Sequence, residues 1–299
     1  ASANGIREKI QPPKSDVVAE LIEDYISRLN KIDFKQDMAT SRDAPIPVFI
    51  VGLPRTGTTL LEKNLMEIAD LQAVGENLNF RKPMEIQLGS VFTSPFEIAN
   101  RPFDEILDFT ELGRRYREKT LWTAEGRPYY TDKETFNFAY VGLIAKAIPE
   151  ARIIHIRRNP MDACFSSFKQ SFAFGIFPAS YALSSMAAFY KSYDRIMAFW
   201  RERLGERMLE IRYEDLVIRH EETLDRIKAY CRFGDAVHTD DAPRAYKAST
   251  LSAAQVQKPI HAGNINAWAK YRDYLKPLRT ALDAEYTAYM RGIEGVEIL

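Results

Sequence analysis

Residues Val48–Leu61, VFIVGLPRTGTTLL, constrain the fold more than any other stretch of the chain. Val48, Phe49, Ile50 and Val51 are a short apolar run, β-branched and aromatic, with the composition of a buried parallel strand. Gly52 to Gly57 makes a turn with glycine at both ends and Pro54 inside. From Thr58 onward, Leu60, Leu61, Leu65, Met66 and Ile68 recur at helical spacing. A strand, a glycine loop and a helix start aim unpaired N–H groups and the positive end of the helix dipole at an anion, phosphate above all.

The spacing of Gly52 and Gly57 matches the opening of the nucleotide P-loop GxxxxGK[ST], but Thr58 stands where the lysine belongs. That lysine reaches the β- and γ-phosphates, and the hydroxyl after it holds Mg²⁺. Here the cation sits earlier, at Arg55, and the hydroxyls are those of Thr56, Thr58 and Thr59. The loop suits an anionic group other than the tail of a triphosphate. A plain glycine turn between a core strand and a core helix is the bland alternative.

A parallel strand needs parallel partners, and the chain supplies them. Leu71–Asn77 is a short strand ending in Gly75-Glu76, and Tyr129–Lys133 is another strand end. Open α/β sheets bind ligands outside the carboxyl ends of their strands, so Glu76 is a candidate base and Lys133 a candidate cation. A surface glutamate at a turn and a solvated lysine fit these two stretches equally well. Ala151–Pro160, ARIIHIRRNP, is a buried strand ending in two arginines, followed by Pro160 at a helix start. A nucleotide kinase would carry a Mg²⁺-binding aspartate there. Guanidinium groups suit a second phosphate, and Ser166 adds a hydroxyl two turns into that helix. Either arginine singly also suits bridging carboxylates.

The remaining pattern predicts helices over about 15–29, 103–119, 136–147, 180–204, 221–231 and 278–290, and a strand over 207–213 that ends Tyr213-Glu-Asp. Residues 234–262 read as loop. Alternating strands and helices predict a three-layer α/β fold of P-loop type, with a central parallel sheet flanked by helices. Residues 1–44 read as an N-terminal helical extension and 45–299 as the main domain. Lys+Arg and Asp+Glu are each 41, a balance unlike that of a general nucleic-acid binder. No apolar run reaches membrane length. The two cysteines, Cys164 and Cys231, form no framework and predict reduced thiols and a cytoplasmic protein. The four histidines show no metal-ligand spacing. The sequence opens Ala-Ser-Ala-Asn-Gly rather than with methionine, an opening compatible with a piece of a larger protein. Phe80, Phe92, Phe172, Phe174 and Phe177 fit either an apolar acceptor site or core.

With these motifs placed, the chain resembles the sulfotransferases that use 3′-phosphoadenosine-5′-phosphosulfate (PAPS), above all the branch of tyrosylprotein sulfotransferases and bacterial repeat-fused enzymes. Leu53–Thr59 resembles that family's 5′-phosphosulfate loop, and Arg158–Ser166 its 3′-phosphate motif. Tyr213-Glu-Asp, and Gln255–Pro259 followed by Trp268 and Tyr271, resemble its later motifs. The resemblance implies that Arg55, Thr56, Gly57, Thr58 and Thr59 hold the 5′-phosphosulfate and that Arg158 with Ser166 holds the 3′-phosphate. It adds Tyr213, Ser252 and Lys258 to the donor-binding set. It implies Glu76 as general base, with Arg55 and Lys133 as catalytic cations. Gln170, beside Lys169, stands where that branch has an arginine. The implied reaction is in-line transfer of the sulfuryl group to a hydroxyl acceptor, a small molecule, carrier-bound intermediate or peptide, with PAP as product and no metal. A homodimer is left open. The rivals are a P-loop small-molecule kinase and a catalytically silent nucleotide-binding or scaffold domain.

Overall fold

The apolar run after Pro47 becomes a strand buried on both sides. The computed structural model describes residues 15–35, 45–170, 172, 177–234 and 262–291. Among these, five strands form one sheet: β1 (Ile46–Val51), β2 (Leu71–Gln72), β3 (Tyr129–Asp132), β4 (Arg152–Arg157) and β5 (Leu209–Arg212). Their order is β2-β3-β1-β4-β5, and every pairing is parallel. Phe49 lies opposite Asp132, and Val51 opposite His155. Along β1, Phe49 and Val51 enter one core while Val48 and Ile50 enter another. β4 splits likewise, Ile153 to the first and Ile154 and Ile156 to the second. Successive side chains point to opposite faces, so a strand covered on both sides reads as one continuous apolar run.

Helices cover both faces, which gives the expected three layers. On the first lie α1 (Ser15–Leu29), α3 (Arg81–Leu88), α4 (Phe103–Ile106), α5 (Phe109–Thr120), α6 (Val141–Ala147), α7 (Pro160–Lys169), α8 (Leu183–Leu204), α11 (Lys276–Ala281) and α12 (Asp283–Met290). On the second lie α2 (Thr58–Ile68), α9 (Tyr213–Ile218) and α10 (His220–Cys231). The stripe of α1 packs on the main core: Ile22, Tyr25, Ile26 and Leu29 are buried, and the Tyr25 hydroxyl donates to the Ala139 carbonyl at 2.8 Å. The side chains of Ser15, Asp16, Val17 and Val18 lie outside the described ones.

Several elements are shorter or more divided than the sequence pattern predicts. The 103–119 helix is two, because Asp108 caps a new one, its carboxylate accepting from the Glu111 N–H at 3.0 Å. The last helix breaks at the buried Leu282. β5 stops one residue early because Tyr213 already begins α9. Gly205 ends α8 as predicted, with a φ of 50°. Phe80, Phe92, Phe172 and Phe177 are all buried in the first core, so they are core; Phe174 lies outside the described residues.

In a parallel sheet all carboxyl ends share one edge. The chain leaves β1 first toward β2 and β3 and later toward β4 and β5, so β1 is the switch point where such folds open a ligand crevice.

Candidate active site

The glycine loop leaves β1 at this switch point, and its two glycines are there for space. A Cβ on Gly52 would stand 2.4 Å from the Ile156 carbonyl oxygen of β4. A Cβ on Gly57 would stand 2.6 Å from the Tyr213 ring, and the residue has a φ of 104°. The hydroxyl of Thr56 donates to the Leu53 carbonyl at 2.8 Å, and its N–H bonds the same oxygen at 3.3 Å. Thr56 therefore closes the turn, while Gly57, Thr58 and Thr59 open α2, where first-turn N–H groups have no helical acceptor. Arg55 also has positive φ, 73°, a conformation costing about 1–3 kcal/mol in a non-glycine residue.

The tip of β4 meets this loop. Arg158 Nη1 donates to the Arg55 carbonyl at 2.9 Å, and Nη2 donates to the Asn264 carbonyl at 2.5 Å. Its guanidinium lies 4.5 Å over the Tyr213 ring, a cation–π contact. Its Nε is buried with no hydrogen-bond partner. Ser166 on α7 accepts from Arg55 Nε at 3.3 Å rather than pairing with Arg158, so the two predicted phosphate motifs interlock. Burial first, and then the nearby Arg158, lower the Arg55 pKa, with Tyr213 opposing. An arginine keeps its charge regardless, so this crowding marks a place that gains from an anion. Asp162 ties down the segment crossing above, accepting from the N–H groups of Asn266 and Trp268 at 2.8 and 2.9 Å.

Arg157 goes elsewhere. It bonds Glu210 at 3.1 Å and lies 4.8 Å over the Tyr289 ring, on the face of Ile153 and His155. Of the predicted arginine pair, Arg157 bridges carboxylates and Arg158 alone turns to the loop.

On the other side of β1, Lys133 follows β3 and is fully buried. Its ammonium lies 3.4 Å from Glu76 Oε1 and 3.7 Å from Glu62 Oε2. Glu76 is 44% exposed, whereas Glu62 is wholly enclosed. Glu62 also accepts from the Thr131 hydroxyl at 2.6 Å and from the Gly75 N–H at 3.1 Å. A further carboxyl, Glu134, faces Glu76, Lys133 and Arg81 and caps the turn that follows, accepting from the Phe136 N–H at 3.3 Å. Burial above all raises the Glu134 pKa to about 7, and Glu76 adds to the rise.

The fold thus brings Arg55, Thr56, Gly57, Thr58, Thr59, Arg158, Ser166, Tyr213, Glu76 and Lys133 to one edge of the sheet. Ser252 and Lys258 lie outside the described residues. Sequence reasoning missed Glu62 and Glu134. The signal for Glu62 was there: it lies three residues before Leu65 and four after Thr58, on the buried face of α2. Among the described residues no cluster of His, Cys, Asp or Glu is arranged to hold a metal, and no helix is long and apolar enough to cross a membrane.

Comparison with known proteins converges on one family. An uncharacterized protein of Aquifex aeolicus is 28% identical over 243 residues, 78% of this chain and 31% of that protein, so the chain spans about a third of this curated relative. Among solved structures, the sulfotransferase domain from the curacin biosynthetic pathway is 16% identical, with 72% of this chain and 83% of that one covered and a TM-score of 0.45. Mouse sulfotransferase SULT7A1 complexed with PAP is 16% identical, with 87% and 91% covered and a TM-score of 0.44. The family model described as "Sulfotransferase family" matches residues 47–234, from β1 through α10, and on that match this chain belongs to the sulfotransferase family.

Proposed function

We propose that this chain moves the sulfuryl group of PAPS onto a hydroxyl acceptor by in-line displacement. The supporting observation is the division of the sheet edge about β1. Arg55, Arg158 and Ser166 interlock on the β4 side, and Lys133 with Glu76 stands on the β3 side. A donor with phosphates at two positions suits the first cluster, and a reacting hydroxyl suits the second.

In this reading Arg55 and the N–H groups of Gly57, Thr58 and Thr59 hold the 5′-phosphosulfate, with Thr56 shaping the turn. Arg158, whose buried Nε is unpartnered, and Ser166 hold the 3′-phosphate, and Tyr213 lies beside the nucleotide. The acceptor oxygen attacks sulfur as the bond from sulfur to the 5′-phosphate oxygen breaks. The electron pair of that bond leaves on the phosphate of PAP, and the acceptor proton passes to Glu76. Lys133 and Arg55 offset the charge growing on the sulfuryl and leaving oxygens, the electrostatic contribution that is commonly the largest in such transfers. Fixed cations in these positions leave no step that requires Mg²⁺.

The test is transfer of labelled sulfuryl from PAPS into pooled phenols, peptides, glycans and lipids, with ATP as the control donor and a chelator present in one arm. Transfer from PAPS alone, indifferent to the chelator, is expected. Phosphoryl transfer from ATP, or activity lost to the chelator and restored by Mg²⁺, overturns the reading.

A further inference from the structure

Lys133 has two carboxylate partners of different kinds. Glu76 is part-exposed on the loop after β2, and Glu62 is sealed inside on α2. If Glu76 accepts the acceptor's proton, it stops being a counter-ion at the moment the leaving group needs Lys133 charged. A fully buried ammonium without a counter-ion loses its proton readily. We propose that Glu62 is a positioning residue of this centre: a permanent counter-ion that keeps Lys133 cationic while Glu76 is protonated, and that fixes Glu76 through the Gly75 N–H. This rests on the sulfuryl-transfer reading above.

The geometry supports both parts. Glu62 shares no contact with solvent, so turnover does not expose it. Its Oε1 takes the Thr131 hydroxyl and the Gly75 N–H, which ties the helix of the phosphate loop to the residue before Glu76. Its Oε2 turns to Lys133. The Lys133 N–H bonds the Gly75 carbonyl at 3.2 Å, so the same residue is held from both sides. The charged groups about Lys133 are Glu62 from α2, Glu76 from the loop after β2, and Glu134 from the turn after β3. Arg81 from α3 acts on the Glu134 carboxyl. Of the two carboxylates in reach of the ammonium, Glu62 is the one without access to the acceptor's proton.

The test is Glu62→Gln, which keeps the shape and an acceptor oxygen but removes the charge. Turnover should fall by about tenfold or more, because breaking a buried pair leaves its partner uncompensated. The alkaline limb of the kcat profile should move down by about one pH unit or more, since Lys133 now gives up its proton more easily. The KM for PAPS should stay within about twofold, because the donor cluster is untouched. An active variant with an unmoved alkaline limb overturns the proposal while leaving sulfuryl transfer intact. A wild-type chain that transfers nothing from PAPS overturns the underlying reading, and this proposal with it. Should Glu62→Gln fail to fold, Glu62→Gln with Lys133→Met removes the stranded charge as well. Recovered folding supports the pairing, and an equally unfolded double variant overturns it.

Discussion

The two sides of β1 hold charge in different ways. On the β4 side the charges are guanidinium groups: Arg55 and Arg158 crowd together, and the nearest printed carboxylate to Arg158, Asp162, is 4.0 Å away and already accepts two backbone N–H groups. On the β3 side one ammonium is set among Glu62, Glu76 and Glu134. Arginine cannot be deprotonated within a protein's working range, whereas buried carboxyls and lysines shift readily. The first arrangement can grip an anion over a wide pH range. The second can pass a proton.

The sharpest way to break this division is Glu76→Gln. Turnover should fall by about 10²- to 10⁴-fold, the usual worth of a general base, while PAP binding measured by calorimetry stays unchanged. Near-normal turnover removes Glu76 from the role. Arg158→Ala should instead weaken PAP binding by roughly 10- to 100-fold, as expected for a charge-assisted contact. Its neighbour supplies the control. Arg157→Ala should leave PAP affinity within about twofold and lower the thermal midpoint, because its partner is Glu210 and not the loop. Equal losses for both arginines would undo the distinction between them. Gly57→Ala should destabilise the fold by more than about 1 kcal/mol, read by denaturant unfolding, since φ is positive and the Tyr213 ring occupies the space.

The smallest effect concerns pH. Asp132, at the end of β3, is buried against Tyr116 and Asn137, and burial raises its pKa to about 7. Its folded value lies above the ordinary carboxylate value of about 4. The stability it contributes is therefore full at low pH and lost as pH rises through about 7. Asp132→Asn should flatten the change in thermal midpoint between acid and neutral pH. An unchanged slope would place the titration elsewhere, with Glu134, raised likewise to about 7, the next group to replace.

Much of this was legible in advance because strand ends are legible. Runs such as VFIV and RIIHI can only be buried strands, and whatever follows them must collect at one edge of a parallel sheet. That rule brought Arg55, Glu76, Lys133 and Arg158 together before any coordinates. It could not separate Arg157 from Arg158, because the parity of a strand says nothing of what its neighbour offers. Glu210 on β5 claims the first, and the Arg55 carbonyl claims the second. Nor could it divide the hydroxyls, one of which closes the turn while another bonds Arg55.

The sequence by itself determined the strands, the lysine-less glycine loop and the charged residues at the sheet's carboxyl edge. These follow from local periodicity, glycine's tolerance and the number of residues between motifs. Only the tertiary structure decided which charges face one another and which are sealed from water. Glu62 and Lys133 are 71 positions apart in the chain, and their pairing exists because α2 folds back beneath β3. Electrostatic coupling depends on distance and burial, and neither is written in the order of residues.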